Sequence, residues 1–331
     1  MAQDSRPWLR SNPKSYGWIV FVVLAGVFGT ELHSTAALAP ASTHGDLRPA
    51  YVLIGYAPAD RFSNPRGVAL DERNRILYVA DTGKGRVVGF SLQGLPKFTL
   101  TIDGISAPYD LAVDDHGQLY ISDKETPTLR VVDAQGKTVG SIDLSSAGTT
   151  APPLIRGLAV DKQDRLYIGD QVSGQVLVCD ATGHVFSRIG SRGERPGQLK
   201  MIEDIALDRV GRVYVVDSIG TAVNVFDPGG KFIFRFGTIS TQPDGLLQPM
   251  GISLDRHDQI WVVDQNGHTV SVFDGRGFIQ RRFGADIPGG FERFLFPVSV
   301  ALDRMGHVYV VEQGSGQVQV FTLENPFLPF H

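Results

Sequence analysis

A pair of carboxylates recurs along almost the whole chain, and this repeat constrains the fold more than any other feature. The first member returns every 43 to 48 residues, and the second follows it after 9 or 10 residues. A fixed period of this size indicates one supersecondary unit copied along the chain. The first carboxylates are Asp71, Asp114, Asp161, Asp208, Asp255 and Asp303. The second carboxylates are Asp81, Asp123, Asp170, Asp217, Asp264 and, as a variant, Glu312.

Each repeat contains short apolar segments separated by turn residues. In the fourth repeat they are DIALD at 204–208, VYVVD at 213–217, AVNVF at 222–226 and KFIFRFG at 231–237. Short β-rich runs at regular spacing predict antiparallel strands, and four such strands per period are typical of a propeller blade. The six repeats therefore predict an all-β protein, a six-bladed β-propeller of four-stranded antiparallel blades.

Two further positions of the repeat have a predictable structural role. The turn after each first carboxylate needs a residue that tolerates positive φ. The candidates are Asn74, Gly117, Asp164, Gly211, Asp258 and Gly306. An aromatic residue stands three positions before every second carboxylate, where bulk is needed to fill the space between twisted sheets. These aromatics are Tyr78, Tyr120, Tyr167, Tyr214, Trp261 and Tyr309.

The two ends of the repeat array complement each other. The sixth repeat has three strands, whereas YVLIG at 51–55 precedes the first repeat and has the character of a fourth strand. Pairing the two segments would close the ring and remove an exposed sheet edge. We therefore predict a propeller over residues 50–331 that is closed by an N-terminal strand completing the last blade.

The N-terminal segment has the features of an export signal. Residues 1–39 combine a basic start, an apolar run without charge at 17–30 and small residues from position 34 onward, as in a secretory signal peptide. The apolar run is shorter than the roughly 20 residues of a typical span, but an uncleaved anchor is the alternative to cleavage. We expect an exported protein, periplasmic or extracellular, either released or membrane-associated through this segment. Residues 40–49 are interpreted as a linker.

Composition limits the classes of partner and of chemistry. The net charge is −4, so no basic surface favours nucleic acid as a partner. The single cysteine, Cys179, excludes an intrachain disulfide, and it occupies an apolar slot of the repeat. We therefore expect it to be a buried structural thiol. The histidines do not assemble into one site, since His116, His257 and His307 lie in first-to-second turns of three different repeats, and no Ser-His-Asp set is evident.

The candidate binding residues lie where the first strand of each repeat begins. The connections from each fourth strand to the next first strand are long, so they mark the candidate binding face. Arg66, Tyr109 and Arg156, from consecutive repeats, could together hold a carboxylate or another small anion. Glu203, Asp110 and Asp204 complete the candidate ligand-binding set at the channel mouth. The alternative is a structural network in which Arg156 pairs with Glu203. For the six second carboxylates we predict loop anchoring by backbone N–H groups.

Residues 65–90 resemble an NHL repeat through the pattern P-x-G-V-A-L-D, Y-V-A-D and V-x-x-F. The loops at 190–199 and 290–297 are similar to the glycine-rich lead-in of that family, and the resemblance extends over 51–322. It implies a six-bladed propeller. It also implies two enzymatic alternatives. A calcium lactonase could take its metal ligands only from Glu203, Asp204 and Asp110. An amidating lyase has zinc-binding histidines where inner strands begin, and this chain has Arg66, Arg156 and Met250 at those positions, so the zinc ligands are missing.

We therefore expect an exported, non-catalytic module that binds a protein or a small anionic ligand, or serves as a scaffold, without a cofactor. The alternative is a metal-dependent hydrolase or lyase with its site at the channel mouth, for which calcium is the candidate metal. A third hypothesis, RNA binding of the kind seen in tripartite-motif NHL proteins, is opposed by the acidic balance of the chain.

Overall fold

Six four-stranded antiparallel sheets surround a central axis in a computed structural model that describes residues 47–148, 151–238, 245–284 and 294–324. The predicted six-bladed β-propeller is confirmed. Consecutive strands pair within each blade, and the first strands of neighbouring blades pack side by side. The first strand of blade six also packs against that of blade one, so the ring is closed.

The strands are numbered along the chain. Before the first blade come β1 (Leu47–Leu53), β2 (Gly55–Ala57) and β3 (Asp60–Arg61). Blade one contains β4 (Pro65–Asp71), β5 (Ile76–Asp81), a 3-10 turn (Thr82–Lys84), β6 (Arg86–Ser91) and β7 (Pro96–Leu100). Blade two contains β8 (Pro108–Val113), β9 (Leu119–Asp123), β10 (Thr128–Val132) and β11 (Thr138–Asp143). Blade three contains β12 (Ile155–Val160), β13 (Leu166–Asp170), β14 (Gln175–Cys179) and β15 (Val185–Ile189).

A short parallel pair, β16 (Ser191–Arg192) and β17 (Gln198–Leu199), leads into the second half of the ring. Blade four contains β18 (Ile202–Leu207), β19 (Val213–Asp217), β20 (Ala222–Phe226) and β21 (Phe232–Phe236). Blade five contains β22 (Pro249–Leu254), β23 (Ile260–Asp264), β24 (Thr269–Phe273) and β25 (Ile279–Gly284). Blade six contains β26 (Pro297–Leu302), β27 (His307–Glu312) and β28 (Gln317–Leu323).

The N-terminal strand supplies the missing fourth strand of blade six. β1 pairs antiparallel with β28, and the register shifts between Pro49 and Tyr51. The strand begins at Leu47, three residues before the predicted boundary of the propeller, because Leu47 is buried against the core between blades five and six. Residues 1–46, which contain the predicted signal or anchor segment, lie outside the described residues. In the part of the chain that is described, no helix has the length and apolarity needed to cross a membrane.

The core lies between the blades, where six hydrophobic clusters each join one blade to the next. All six aromatic residues predicted to fill this space are at most 2% exposed. Cys179 is also buried, as predicted, and burial raises the pKa of its thiol to about 12. This environment keeps the thiol protonated, as expected for a packing residue.

The turn of blade one differs from the prediction. Positive φ was predicted for Asn74, but it is Arg75 that adopts it, at 55°. In the other five blades the predicted residues have positive φ. The first repeat has one extra residue here, so Asn74 instead donates through its backbone and side chain to Asp71. The hydroxyl of Tyr78 is left without a hydrogen-bond partner among the described residues.

The six second carboxylates anchor loops, as predicted. Asp217, for example, accepts hydrogen bonds from the backbone N–H groups of Lys200, Met201 and Gly220, each 2.9 Å long. Glu312 holds the equivalent loop in blade six through the N–H of Leu295. These carboxylates satisfy buried backbone donors, which is a structural role.

Candidate functional site: the two mouths of the central channel

The propeller has two faces with different connections. On the loop face lie the connections between successive blades, such as 190–201, and the loops between second and third strands, such as 171–174. On the turn face lie the turns between first and second strands, such as 208–212, and between third and fourth strands, such as 180–184. The central channel opens at one mouth on each face, and the predicted binding residues belong to the loop-face mouth.

The second residue of each first strand surrounds the loop-face mouth. These residues are Arg66, Tyr109, Arg156, Glu203, Met250 and Val298. The equivalence of the positions follows from the repeat, because every first strand starts at the same distance from its carboxylate. Four polar side chains therefore come from blades one to four, while blades five and six contribute apolar ones.

Two guanidinium groups contact the tyrosine ring. The Cζ atoms of Arg156 and Arg66 lie 3.8 Å and 4.4 Å from the ring centroid of Tyr109. The tyrosine hydroxyl accepts a hydrogen bond from Nη1 of Arg66 and donates one of 2.9 Å to Oε2 of Glu203. Cation–π stacking of this kind is favourable, more so where water is excluded. Four of the six predicted site residues thus form one contact network.

The network corrects one predicted pairing. Arg66, not Arg156, is the arginine that forms an ion pair with Glu203, at 3.8 Å between Nη1 and Oε2. Arg156 donates its Nη1 hydrogen bond to the backbone carbonyl of Ile155 at 2.8 Å. The stack on Tyr109 fixes the guanidinium of Arg156 in that position. Arg156 therefore does not pair with Glu203, although Glu203 belongs to the neighbouring blade.

The network fills the loop-face mouth. The cavity left between Arg66, Tyr109, Glu203 and the neighbouring strands is only about 20 Å³, which is room for about one water molecule. Burial lowers the pKa of Arg156 and raises that of Glu203, although Arg66 opposes the latter shift. Ligands at this face can therefore reach the network only from its outer surface, where the Arg66 side chain is 23% exposed.

Asp110 and Asp204 occupy the next position of their strands and bind backbone rather than an open site. Asp110 accepts hydrogen bonds from the N–H groups of Leu111 at 2.9 Å and Leu158 at 2.7 Å. Asp204 repeats the pattern with Ile205 at 2.7 Å and Ile252 at 2.8 Å. In each case the second donor belongs to the following blade. The two carboxylates therefore tie blade two to three and blade four to five.

Glycines alternate with these aspartates for a steric reason. A Cβ atom on Gly67 would lie 2.8 Å from the Cα atom of Asp110, and one on Gly157 would lie 2.8 Å from that of Asp204. Separations this short are not compatible with van der Waals contact, so only glycine lets these blades approach. At this level of the channel, the first strand of blade one therefore lies close to that of blade two, and the first strand of blade three lies close to that of blade four.

Both buried aspartates have raised pKa values. Burial raises the pKa of Asp110 to about 6, although two backbone N–H groups oppose the shift. The pKa of Asp204 is well above its usual range because of burial and the nearby charge of Asp110. The two side chains line a channel segment of about 200 Å³ with Ile205, Ile252 and other apolar strand residues. Desolvation dominates here, as expected for carboxylates in an apolar wall.

A metal ion at the loop-face mouth would need free oxygen, nitrogen or sulfur ligands. Within the residues that the structure describes, no group of three or more His, Cys, Asp and Glu is arranged to hold a metal ion. Glu203 is engaged by Tyr109 and Arg66, and both oxygens of Asp110 and of Asp204 accept backbone hydrogen bonds. The hydrolase or lyase alternative stays a hypothesis, and metal analysis of the purified protein tests it.

The turn-face mouth, which was not predicted as a site, is open. It holds a cavity of about 510 Å³ lined by residues from all six blades, within the usual size range of ligand pockets. Its apolar level, which we call the collar, consists of the last apolar residues of five first strands. These are Val113, Val160, Leu207, Leu254 and Leu302.

A ring of charged residues lies next to the collar, at the position directly after each first aspartate. We call it the charged ring, and it consists of Glu72, Asp115, Lys162, Arg209, Arg256 and Arg304. Blades one and two contribute acids, and blades three to six contribute bases. Aligning the repeats at the first aspartate reveals this segregation in the sequence. The long connections between blades, which the sequence predicts to mark the binding face, lie at the other mouth.

Comparison with known proteins agrees with this architecture. Residues 62–90 match the NHL repeat, and residues 155–233 match a family described as a 6-bladed beta-propeller. No curated protein matches the chain significantly.

Solved structures with the same fold have diverse functions. A streptogramin B lyase structure aligns with a TM-score of 0.59 and 12% identity, over 80% of this chain and 84% of that one. A protein of unknown function from Bacteroides thetaiotaomicron aligns at 0.63 and 17%, over 80% and 71%. The WD40 propeller domain of Doa1 aligns at 0.58 and 13%, over 83% and 82%. At these identities the likeness shows the fold alone.

Proposed function

We propose that this chain, an NHL-repeat six-bladed β-propeller, is an exported, non-catalytic module that binds a partner protein through its loop face. The observation that carries the proposal is an arc of exposed apolar side chains on that face. The arc, defined here as the apolar arc, consists of Val172, Ile219, Leu247, Leu295 and Phe296, with exposures between 38% and 56%.

The apolar arc follows the connections of blades three to six around the filled mouth. Val172 and Ile219 lie in loops between second and third strands, and Leu247 lies in a connection between blades. Several exposed apolar side chains on one face of a protein are candidates for an interaction site.

The network at the mouth supplies a polar contact beside the apolar arc. Arg66 is the predicted site residue with the clearest access from outside, since Arg156 and Tyr109 are each 7% exposed. The network contains two guanidinium groups but a single carboxylate, that of Glu203. A partner with apolar side chains next to a carboxylate would satisfy both features, because arginine binds carboxylates in a directed, bidentate manner.

Site-specific photo-crosslinking tests the loop face. A photoreactive amino acid at Leu247 should give one discrete adduct in envelope extracts, whereas the same group at Val210, which is 70% exposed on the turn face, should not. Ile219→Glu should abolish the adduct, and Arg66→Ala should reduce it, without a change of fold. Equal labelling from Leu247 and Val210, or an adduct insensitive to Ile219→Glu, would contradict the proposal.

Export is tested separately. It is motivated by residues 1–41, which lie outside the described residues. A reporter enzyme fused after residue 60 should be active outside the cytoplasm, and deletion of residues 17–30 from the same fusion should abolish that activity. Activity confined to the cytoplasm in the undeleted fusion would remove export from the proposal.

A further inference from the structure

The turn-face cavity has the construction of a binding site that is separate from the loop face. It combines about 510 Å³ of space, the apolar collar and the charged ring. Cavities of this size with apolar walls and a few oriented polar groups are the usual form of small-ligand sites. The side chains of the loop-face network do not contribute to it.

The bases of the charged ring occupy one continuous side. They belong to four consecutive blades, three to six, and the acids Glu72 and Asp115 belong to blades one and two. Lys162, Arg209 and Arg304 are exposed at the mouth. Arg209 is held by Asp258 at 2.7 Å. The side chains of Lys162 and Arg304 have no ion-pair partner within the described ranges.

The carboxylates of the lining do not cancel this arrangement. Eight acidic residues face five basic ones in the cavity wall, but five of the eight are first aspartates. Those aspartates accept hydrogen bonds within their own turns and from the aromatic residue below, as Asp208 does from Arg212 and Tyr214. Asp161 and Asp208 are in addition ion-paired with Arg165 and Arg212 at 2.6 Å and 2.5 Å. The negative charge of these aspartates is therefore offset by donors of their own turns.

One remaining acid of the ring is also engaged by backbone. Glu72 accepts a 2.7 Å hydrogen bond from the N–H of Arg304, which joins blade one to blade six. The acidic side therefore repels an anionic group towards the bases of blades three to six, of which Arg209 and Arg256 lie on the opposite wall. The collar, half-buried and apolar, offers a surface from which a nonpolar body would displace water.

We propose that the turn-face cavity binds a small amphipathic anion, with its carboxylate or phosphate group on the bases of blades three to six and its apolar body in the collar. This binding is independent of the partner contact at the loop face. Charged groups at the mouth give the ligand its orientation, and the collar contributes affinity through apolar burial.

Isothermal titration with octyl phosphate tests the proposal. One molecule should bind per chain, and Lys162→Glu and Arg304→Glu should each weaken binding about tenfold, which corresponds to the loss of one charge-assisted contact. Arg73→Glu makes the same charge change on the turn face outside the cavity lining and should alter the affinity less than about twofold. Inorganic phosphate, which lacks the apolar body, should bind much more weakly than octyl phosphate.

Several outcomes would overturn the proposal. These are equal binding of octyltrimethylammonium, unchanged affinity in both glutamate variants, or no binding of octyl phosphate by the folded protein. Vesicles of phosphatidylglycerol distinguish a free ligand from a lipid surface. Binding to the vesicles without binding to octyl phosphate would also exclude the cavity. Thermal unfolding of each variant confirms that the exposed substitutions leave the propeller intact.

Discussion

The hydroxyl of Tyr109 donates a 2.9 Å hydrogen bond to Oε2 of Glu203, which lies 94 residues further along the chain. The same hydroxyl accepts from Arg66, 43 residues before it. One phenol group therefore joins blades one, two and four at the axis. It fills the mouth that the sequence marked as the binding site.

Tyr109→Phe should lower the free energy of unfolding by about 1.5–3 kcal/mol, because it removes a buried hydrogen bond to a charged group. The phenylalanine ring keeps the cation–π contacts with the two arginines. Tyr56→Phe is the matched control, since the Tyr56 hydroxyl has no hydrogen-bond partner among the described residues and should change stability by less than about 0.5 kcal/mol. Urea unfolding of both variants measures the difference. Equal effects would show that the bond to Glu203 contributes nothing.

The buried carboxyl of Asp110 should make stability depend on pH. Its pKa is raised to about 6 by burial, whereas an aspartate in an unfolded chain titrates near pH ~4. The unfolded state therefore loses this proton first, and the stability contributed by the protonated group is lost as pH rises through that window. Asp110→Asn does not titrate. The stability advantage of wild type over this variant should therefore shrink between about pH 4 and about pH 7.

An exposed aspartate provides the control for this titration. Hydrogen bonds from Ser145 lower the pKa of Asp143. For Asp143→Asn the advantage of wild type should therefore grow as pH rises, with the opposite sign. Urea unfolding across the pH range checks both variants. A pH-independent difference for Asp110→Asn would mean that the folded protein does not hold this carboxyl protonated.

Closure of the ring should depend on β1. A chain that starts at residue 54 lacks the whole strand, exposes the edge of β28 and loses Leu47 and Leu53, which are buried to 1% and 3% exposure. We expect a lower and broader thermal transition, since closure couples all six blades. A chain that starts at residue 47 is the control and should unfold like the full chain. Identical transitions for the two truncated chains would refute closure by β1.

Because blade one has an extra residue, Tyr78 and the equivalent Tyr214 of blade four should contribute differently to stability. Tyr214 donates a 3.2 Å hydrogen bond to Asp208, whereas the buried Tyr78 hydroxyl has no hydrogen-bond partner among the described residues. Tyr214→Phe should therefore cost about 0.5–1.5 kcal/mol, and Tyr78→Phe should be neutral or stabilising. Chemical unfolding of the two variants decides this. A larger loss for Tyr78→Phe would contradict the inferred effect of the insertion.

The repeat by itself determined the architecture. A first aspartate, an aromatic residue and a second carboxylate recur at the same spacing, so each blade is specified by contacts between residues close in sequence. The hydrogen bonds of Asp208 to Arg212 and Tyr214, and of Asp217 to the N–H of Gly220, span at most six residues. Closure was predictable too, because an unpaired strand edge at each end of the array has one partner. The period of the repeat and its residue pattern are therefore enough to predict such local contacts.

Only the tertiary structure decided what happens at the axis. The sequence brought Arg66, Tyr109, Arg156 and Glu203 to one mouth, but side-chain length and the ring radius determined which atoms meet. Arg66 reaches Glu203, while Arg156 stacks on Tyr109. The same geometry fills the loop-face mouth and leaves about 510 Å³ open on the turn face. Contacts at the axis join residues from different blades, so no local pattern could specify them.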